Sequence, residues 1–235
     1  MKIAKLEPSK HKQGRWLVWL EDGSLVRVGE GDVVSQSLYA GKELSDEEAA
    51  VLSTAGERSR LNERALGLLS MRPMSRGELM DKLCAPSRPK RAKRPVADEP
   101  EERLEELDRE VLQARAEALR EQAEAVADRL SELGLLDDAE YAHMVVRHYA
   151  AKGYGPRKIR DELYRRKVPR EYWTEALNEL EPDTEQIDQL VRQKLRNGPL
   201  TRENLKKTSD YLARRGYGWE EISAALERAK AKWDD

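Results

Sequence analysis

The sequence predicts a mainly α-helical protein: three tandem three-helix repeats of helix-turn-helix type, preceded by a small N-terminal β-hairpin unit. Three observations support this prediction. Charged residues make up 37% of the 235 residues and aromatic residues only 6%, with no Phe, which favours thin helical modules over one thick core. After about residue 45, apolar residues recur at helical spacing. The chain also repeats itself at a fixed offset.

The first 57 residues form the predicted β-hairpin unit. The stretch RWLVWLEDGSLVRV has two β-rich apolar runs, and the segment Glu21–Ser24 between them is a hairpin signal. We expect a short helix around Asp32–Tyr39 to follow. Ser45-Asp46-Glu47-Glu48 has the pattern of a capping box ahead of an apolar run, so a longer helix should begin there.

The repeats are visible as internal similarity. DELYRRKVPREYWTEAL, which starts at Asp161, aligns with DYLARRGYGWEEISAAL, which starts at Asp210, at an offset of 49 residues. SRGELMDKL, from Ser75, aligns with GPRKIRDEL, from Gly155. Asp137-Asp138 reads as the N-cap of the first helix of the second repeat. The predicted repeats cover residues 58–136, 137–181 and 182–235.

A charged insertion interrupts the first repeat at about residues 85–125. After Cys84 the sequence APSRPKRAKRPVADEP holds four prolines and a basic run, a composition that predicts a loop. Its polybasic part, residues 88–94, could bind nucleic acid weakly or keep the loop soluble, and solubility is slightly favoured. A long charged helix is expected from Glu101 to Leu133, and its end at Val126–Leu136 should be the third helix of the first repeat.

The net charge of −2 hides strong segregation along the chain. Asp98–Glu140 contains 16 acidic and 5 basic residues, a net charge of −11. Arg147–Arg170 contains 9 basic and 2 acidic residues, +7, and Arg192–Gly216 contains 8 and 2, +6. The local charge is therefore more informative than the total.

The basic stretches do not have the pattern of a helix-turn-helix that reads bases. Such a motif places the second helix of the pair in the major groove. In the second repeat that helix would be Pro169–Leu180, which carries Glu171, Glu175 and Glu179, and carboxylates would repel phosphate. The basic charge lies one helix earlier. Basic faces repeated in series favour an extended acidic or phosphate-bearing partner, although a merely solvated face is the alternative for any one residue. The candidate contact residues are Tyr154, Arg157, Lys158, Arg160, Arg165, Arg166, Lys167, Lys206, Lys207, Arg214 and Arg215.

Other prominent residues are given structural roles. The Gly-Tyr-Gly-Pro sequence that ends at Pro156 is expected to form a tight turn before the basic helix. Ile159, Trp173, Trp219 and Ile222 fall at helical spacings and are predicted to lie in the core. Four tyrosines could stack on bases, but helix packing is the expected role: Tyr149, Tyr164, Tyr211 and Tyr217.

The sequence argues against an enzyme, a metal site or a cofactor. No Gly-rich phosphate loop, nucleophile elbow or metal-ligand spacing is present. Cys84 is the only cysteine, and His143 and His148 do not share the spacing of a helical metal pair. No apolar run approaches the roughly 18 residues of a membrane span, and the start MKIAKLEP lacks a secretory apolar core. A cytoplasmic protein, present as a monomer, is expected.

Four segments in order resemble the signatures of the RecX family of RecA regulators. They are ALGLLSMRPMSRGELMDKL, VADRLSELGLLDDAEYA, KGYGPRKIRDELYRRKV and YLARRGYGWEEISAAL. The resemblance covers about residues 61–229, apart from the insertion, which departs from the family pattern.

The resemblance implies a regulator in recombination, DNA repair and the SOS response. RecX proteins have three three-helix repeats, are not enzymes, and bind the RecA filament on single-stranded DNA. They inhibit its ATPase, strand exchange and filament extension. The candidate contact residues named above, Tyr154 included, would then contact the filament, with a weak direct DNA contact possible. The alternative is a non-specific single-stranded nucleic-acid binding module that acts without RecA.

Overall fold

The computed structural model describes residues 1–85, 104–179, 184–196 and 201–231. The described residues are mainly helical, with one small antiparallel sheet at the N-terminus, which confirms the predicted fold class. The chain divides into two compact units. The first contains residues 1–72 and 79–135, and the second contains residues 73–78 and 136–235.

The first compact unit begins with a three-stranded sheet in the order β1-β2-β3. The strands are Ile3–Pro8, Arg15–Leu20 and Leu25–Gly29. β2 and β3 form the predicted hairpin, and β1 pairs antiparallel with β2 on its other side. The sheet packs against a helix over a core that includes Ile3, Val18, Val28 and Leu52.

The helix after the hairpin, α1, spans Glu30–Ser35 and not the predicted Asp32–Tyr39. Gly29 is its N-cap, and the Asp32 carboxylate accepts a hydrogen bond from the Gly29 N–H at 3.1 Å. Asp32 therefore lies in the first turn of α1, where its carboxylate caps the start of the helix. The helix ends before Ser37, which has a φ of 47°.

α2 spans Asp46–Met71 and follows the predicted capping box. The Ser45 hydroxyl accepts from the Glu48 N–H at 3.1 Å, and the Glu48 carboxylate accepts from the Ser45 N–H at 3.0 Å. The helix is continuous through residues 57 and 58, where the sequence analysis places a domain boundary. The predicted domain limits stay a prediction.

α3 spans Arg76–Cys84, and α4 spans Leu104–Glu132. α4 is unbroken, so the charged stretch and the predicted third helix of the first repeat are one helix. Its C-terminal part buries Ala123, Val126, Ala127 and Leu130, whereas residues 110–118 are exposed. The loop predicted after Cys84 lies, from residue 86, outside the described residues.

The second compact unit contains the second and third repeats, each with its own core. In the second repeat, α5 is Asp138–Ala151, α6 is Pro156–Arg165 and α7 is Trp173–Asn178. In the third, α8 is Thr184–Leu195, α9 is Arg202–Arg214 and α10 is Trp219–Ala231. Leu163 and Leu212, which are 49 residues apart, are both fully buried in their respective cores.

Two elements of this unit differ from the sequence prediction. The helix predicted over Pro169–Leu180 is a 3₁₀ turn at Arg170–Tyr172 followed by the short α7. The prediction that Trp219 lies in the core is wrong, because its side chain is 70% exposed. At the 49-residue offset Trp219 corresponds to the exposed Arg170, whereas Ile222 occupies the place of Trp173. Ile159 and Ile222 are buried as predicted, and Trp173 packs against the core of its repeat.

The second and third repeats are joined backbone to backbone. The Gly155 N–H donates to the Arg215 carbonyl at 2.8 Å, and the Arg157 N–H donates to the Gly216 carbonyl at 3.1 Å. A Cβ on Gly155 would lie 2.6 Å from the Gly216 carbonyl carbon. Gly216 has a φ of 92°, which L side chains rarely adopt. The glycines of the GYGP and RRGYG segments therefore make this close approach possible.

Replacing Gly155 with Ala tests this junction. The added methyl group would meet backbone atoms of Gly216, which cannot move away as a side chain can. We expect a loss of about 1–3 kcal/mol in the free energy of unfolding, measured by urea denaturation. Gly67→Ala is the control, because a Cβ at this helical position meets nothing within 4 Å and Ala favours the helix. Equal stability of both variants would contradict the steric role of Gly155.

Candidate functional site

α6 presents cations where the neighbouring helices present carboxylates. Gly155 is its N-cap, and Pro156 occupies the first helical position, as the sequence predicts. The first turn continues with Arg157 and Lys158 and holds no acidic residue, unlike every other helix whose first turn is described. Because the helix dipole is positive at this end, cations here oppose helix stability, and an anion would be attracted.

Two arginines at the end of α6 contact the protein itself. The Arg165 guanidinium forms an ion pair with Glu162 at 2.6 Å. The Arg166 guanidinium donates to the hydroxyls of Tyr141 at 2.8 Å and Tyr149 at 3.4 Å. Its carbonyl accepts a hydrogen bond from the Ser75 hydroxyl. Arg166 therefore holds its own repeat together and ties it to residues 73–78.

Glu162 is the buried acid of this network, with 8% of its surface exposed. Burial alone would raise the pKa of Glu162. Hydrogen bonds from Arg165 and Tyr149, together with the charges of Arg165 and Arg166, outweigh the burial and hold the pKa below its ordinary value of 4.5. The carboxylate is therefore ionised and compensates the arginine charge next to it.

Arg215 is a link between the second and third repeats. One of its guanidinium nitrogens, Nη1, donates to the carbonyls of Lys152 at 2.7 Å and Gly153 at 3.1 Å. The guanidinium also lies over the ring of Tyr154, at 5.2 Å, and over the ring of Tyr211, at 5.0 Å. Both Arg215 and Tyr154 are half-buried. They contribute to the junction already described.

The remaining cations predicted to contact a partner differ in whether they interact with other residues of the protein. Lys207 pairs with Glu203 at 2.7 Å, and both side chains are exposed. Lys167 has a φ of 55° and contacts within the protein. The other predicted contacts are exposed, or half-buried in the case of Lys158, and have no carboxylate partner among the described residues. These five residues, named the basic face below, are Arg157, Lys158, Arg160, Lys206 and Arg214.

Two exposed aromatic residues add to the surface of these repeats. Tyr164 is 69% exposed and Trp219 is 70% exposed. The other three tyrosines considered for base stacking pack within the protein: Tyr217 is buried, and Tyr149 and Tyr211 lie against the guanidiniums of Arg166 and Arg215. Trp219 was missed as a surface residue, although its alignment with Arg170 was a usable signal.

The described parts of the chain contain no group of three or more His, Cys, Asp or Glu residues placed to hold a metal ion. His143 lies 2.9 Å from the Glu179 carboxylate through its Nδ1 atom. In the same parts of the chain, no helix has the length and hydropathy needed to cross a membrane.

Comparison with known proteins agrees with this architecture. Residues 137–177 match the family model of the RecX second three-helix domain, and residues 181–226 match that of the third. The regulatory protein RecX of Xanthomonas axonopodis pv. citri (strain 306) is 36% identical over 165 residues, which cover 69% of this chain and 83% of that protein. The chain belongs to the RecX family.

Other RecX proteins agree in sequence and in fold. The regulatory protein RecX of Stenotrophomonas maltophilia (strain R551-3) is 33% identical over 69% of this chain and 83% of its own length. The crystal structure of a regulatory protein RecX superposes with a TM-score of 0.67 at 23% identity, covering 96% of this chain and 98% of that one. RecX from Lactobacillus salivarius gives a TM-score of 0.56 at 19% identity, covering 75% and 99%. The relatives are named as regulatory proteins, and a regulatory role follows for this RecX chain.

Arg166 and Arg160 are expected to behave differently when each is replaced with Ala. Removing the Arg166 side chain takes from the Tyr141 hydroxyl the hydrogen bond that Arg166 donates and takes from Glu162 one of its two arginine neighbours, at a cost of about 1–3 kcal/mol. Removing the exposed Arg160 side chain should change stability by less than about 0.5 kcal/mol. Thermal denaturation of both variants measures the difference. A destabilised Arg160→Ala variant would show that the basic face is structural.

The Glu162 network should also make stability depend on pH. Because the folded-state pKa of Glu162 is lower than that of the unfolded chain, its ionised form stabilises the fold above the unfolded pKa. This contribution is lost as the pH falls through the folded-state pKa. The Tm difference between the wild type and Glu162→Gln should therefore be largest near neutral pH and shrink below the ordinary value of 4.5. A difference that stays constant from pH 7 to pH 3 would contradict this account.

Proposed function

We propose that this protein binds the RecA filament on single-stranded DNA and inhibits RecA ATPase activity, strand exchange and filament extension. The proposal rests on membership of the RecX family and on the resemblance of its four motifs to regulators of RecA. It acts by binding and not by catalysis. In the cell this activity would limit recombination and the DNA-damage response in the cytoplasm.

The observation that supports the contact surface is the basic face. Its cations lie on α6 and α9 of two consecutive repeats and lack carboxylate partners among the described residues. Arg157 and Lys206 stand at the same place in the two repeats, 49 residues apart. The cationic start of α6 opposes its own helix dipole, a cost that contact with an anionic partner would offset. Serial cations of this kind suit a long polyanionic or acidic partner.

Three of the arginines stabilise the fold and are therefore unsuitable for testing the contact surface. Arg165, Arg166 and Arg215 make hydrogen bonds within the protein, so their loss would mix a folding defect with a binding defect. Arg157, Arg160, Lys206 and Arg214 are exposed, and their side chains form no ion pair in the described parts of the chain. Replacing these four with Ala removes charge from the basic face and keeps the internal network.

The test is RecA ATP hydrolysis on single-stranded DNA, titrated with this protein. The wild type should lower RecA turnover. For the same inhibition, the concentration of the variant that lacks Arg157, Arg160, Lys206 and Arg214 should be at least about ten times higher. Each exposed charge contributes a few tenths to about 1 kcal/mol to binding. The control replaces Lys5, Lys12, Arg120 and Arg129, exposed cations of the first compact unit that form other ion pairs, and should inhibit as the wild type does.

A second candidate function uses the same basic face. Unpaired cations also fit a module that binds single-stranded nucleic acid without RecA. Binding of a labelled oligonucleotide would then weaken steeply as salt rises, while RecA turnover stayed unchanged. That result would favour nucleic-acid binding without RecA. Inhibition that is lost in the basic-face variant and kept in the control variant would support the RecA proposal.

A further inference from the structure

A cationic cavity lies in the first compact unit, and none of the basic-face residues lines it. Its volume is about 310 Å³, and it is lined by parts of α2 and α4 and by the end of α3. Three arginines line it, Arg60 and Arg64 on α2 and Arg115 on α4. Leu61, Leu83 and Leu119 give it an apolar floor.

The arginines of the cavity differ from their neighbours on the same helices. On α2, Arg58 pairs with Asp32 at 2.5 Å. On α4, Arg120 pairs with Glu124 at 3.2 Å and Arg129 pairs with Glu132 at 2.8 Å. Arg60 and Arg115 have no carboxylate partner among the described residues. These three arginines outside the cavity are thus paired with carboxylates, whereas Arg60 and Arg115 are not.

The cavity keeps this excess of positive charge. Arg60 and Arg64 are one turn apart on α2, and like charges at this spacing repel. Arg64 donates to the Leu83 carbonyl at 3.3 Å, a contact that leaves its charge uncompensated. The one acidic residue among the described residues of the lining, Glu57, accepts a hydrogen bond from the Gln122 amide at 3.1 Å.

We propose that this cavity binds a phosphate group attached to a partly apolar body, either a free nucleotide or one residue of a nucleic-acid strand. Guanidinium groups form paired hydrogen bonds with phosphate oxygens, and three of them exceed what one carboxylate would neutralise. The volume lies at the lower end of the roughly 300–1,000 Å³ of small-molecule sites. The leucine floor offers apolar surface to a base or sugar.

The test compares two double variants of the full chain. R60Q/R115Q removes two charges from the cavity and keeps the Arg64 hydrogen bond. R58Q/R120Q removes one charge from each of the same two helices outside the cavity. Binding of deoxyadenosine 5′-monophosphate is measured by calorimetry, with deoxyadenosine as the probe without phosphate. Binding of a labelled thymidine oligonucleotide is measured by fluorescence anisotropy.

The proposal expects R60Q/R115Q to weaken binding of at least one phosphate probe by about tenfold or more, while R58Q/R120Q binds like the wild type. A loss for the mononucleotide assigns the site to free nucleotides, and a loss for the oligonucleotide alone assigns it to a strand. Deoxyadenosine should bind no variant measurably. Three outcomes would overturn the proposal: no phosphate binding by the wild type, equal losses in both double variants, or unchanged binding in R60Q/R115Q.

Discussion

The second and third repeats come together at a point where two backbones touch and no side chain fits between them. Gly155 and Gly216 form this contact, and two backbone hydrogen bonds fix its register. A contact of this kind tolerates little sliding, because each hydrogen bond specifies one pair of residues. The distance between α6 and α9, and so the spacing of the basic face, depends on it. The Arg215 guanidinium then covers the contact with hydrogen bonds to two further carbonyls.

The related contact between residues 73–78 and the second repeat uses different side chains for the same purpose. There Lys167 holds the positive φ that Gly216 holds later, and a Cβ on Gly77 would lie 2.7 Å from the Lys167 Cβ. The Ser75 hydroxyl donates a hydrogen bond to the Arg166 carbonyl, and the Arg76 N–H donates one to the Asp138 carboxylate at 2.7 Å. In both junctions a glycine of the earlier segment, Gly77 or Gly155, leaves room for the backbone of the later one. Burial raises the pKa of Asp138, with the Arg76 N–H acting against it.

Much of the fold could be predicted from the sequence, because its signals are local. The hairpin follows from Glu21–Ser24, the start of α2 from the Ser45 capping box, and the repeats from an offset of 49 residues. The role of each arginine could not be predicted in this way. Arg157 and Arg166 belong to the same basic run, yet one is exposed and the other is held by two tyrosines of α5. Those tyrosines lie 17 and 25 residues away in sequence, and only the packing of α5 on α6 brings them near. The prediction that Trp219 is buried was wrong for a related reason, because helical spacing alone does not say which side of α10 faces the core.

The continuity of α2 has a consequence for how the family can vary at this end of the chain. A helix of 26 residues is roughly 39 Å long at 1.5 Å per residue, and the sheet and α4 both pack against it. It contains no glycine pair or proline at which it could bend. The sheet is therefore packed on a continuous helix and is not joined to the rest of its unit by a flexible linker. An insertion or deletion of a single residue within α2 would rotate the helix face on one side of the change by about 100° relative to the face on the other side. The length of α2 should therefore change by whole turns or not at all.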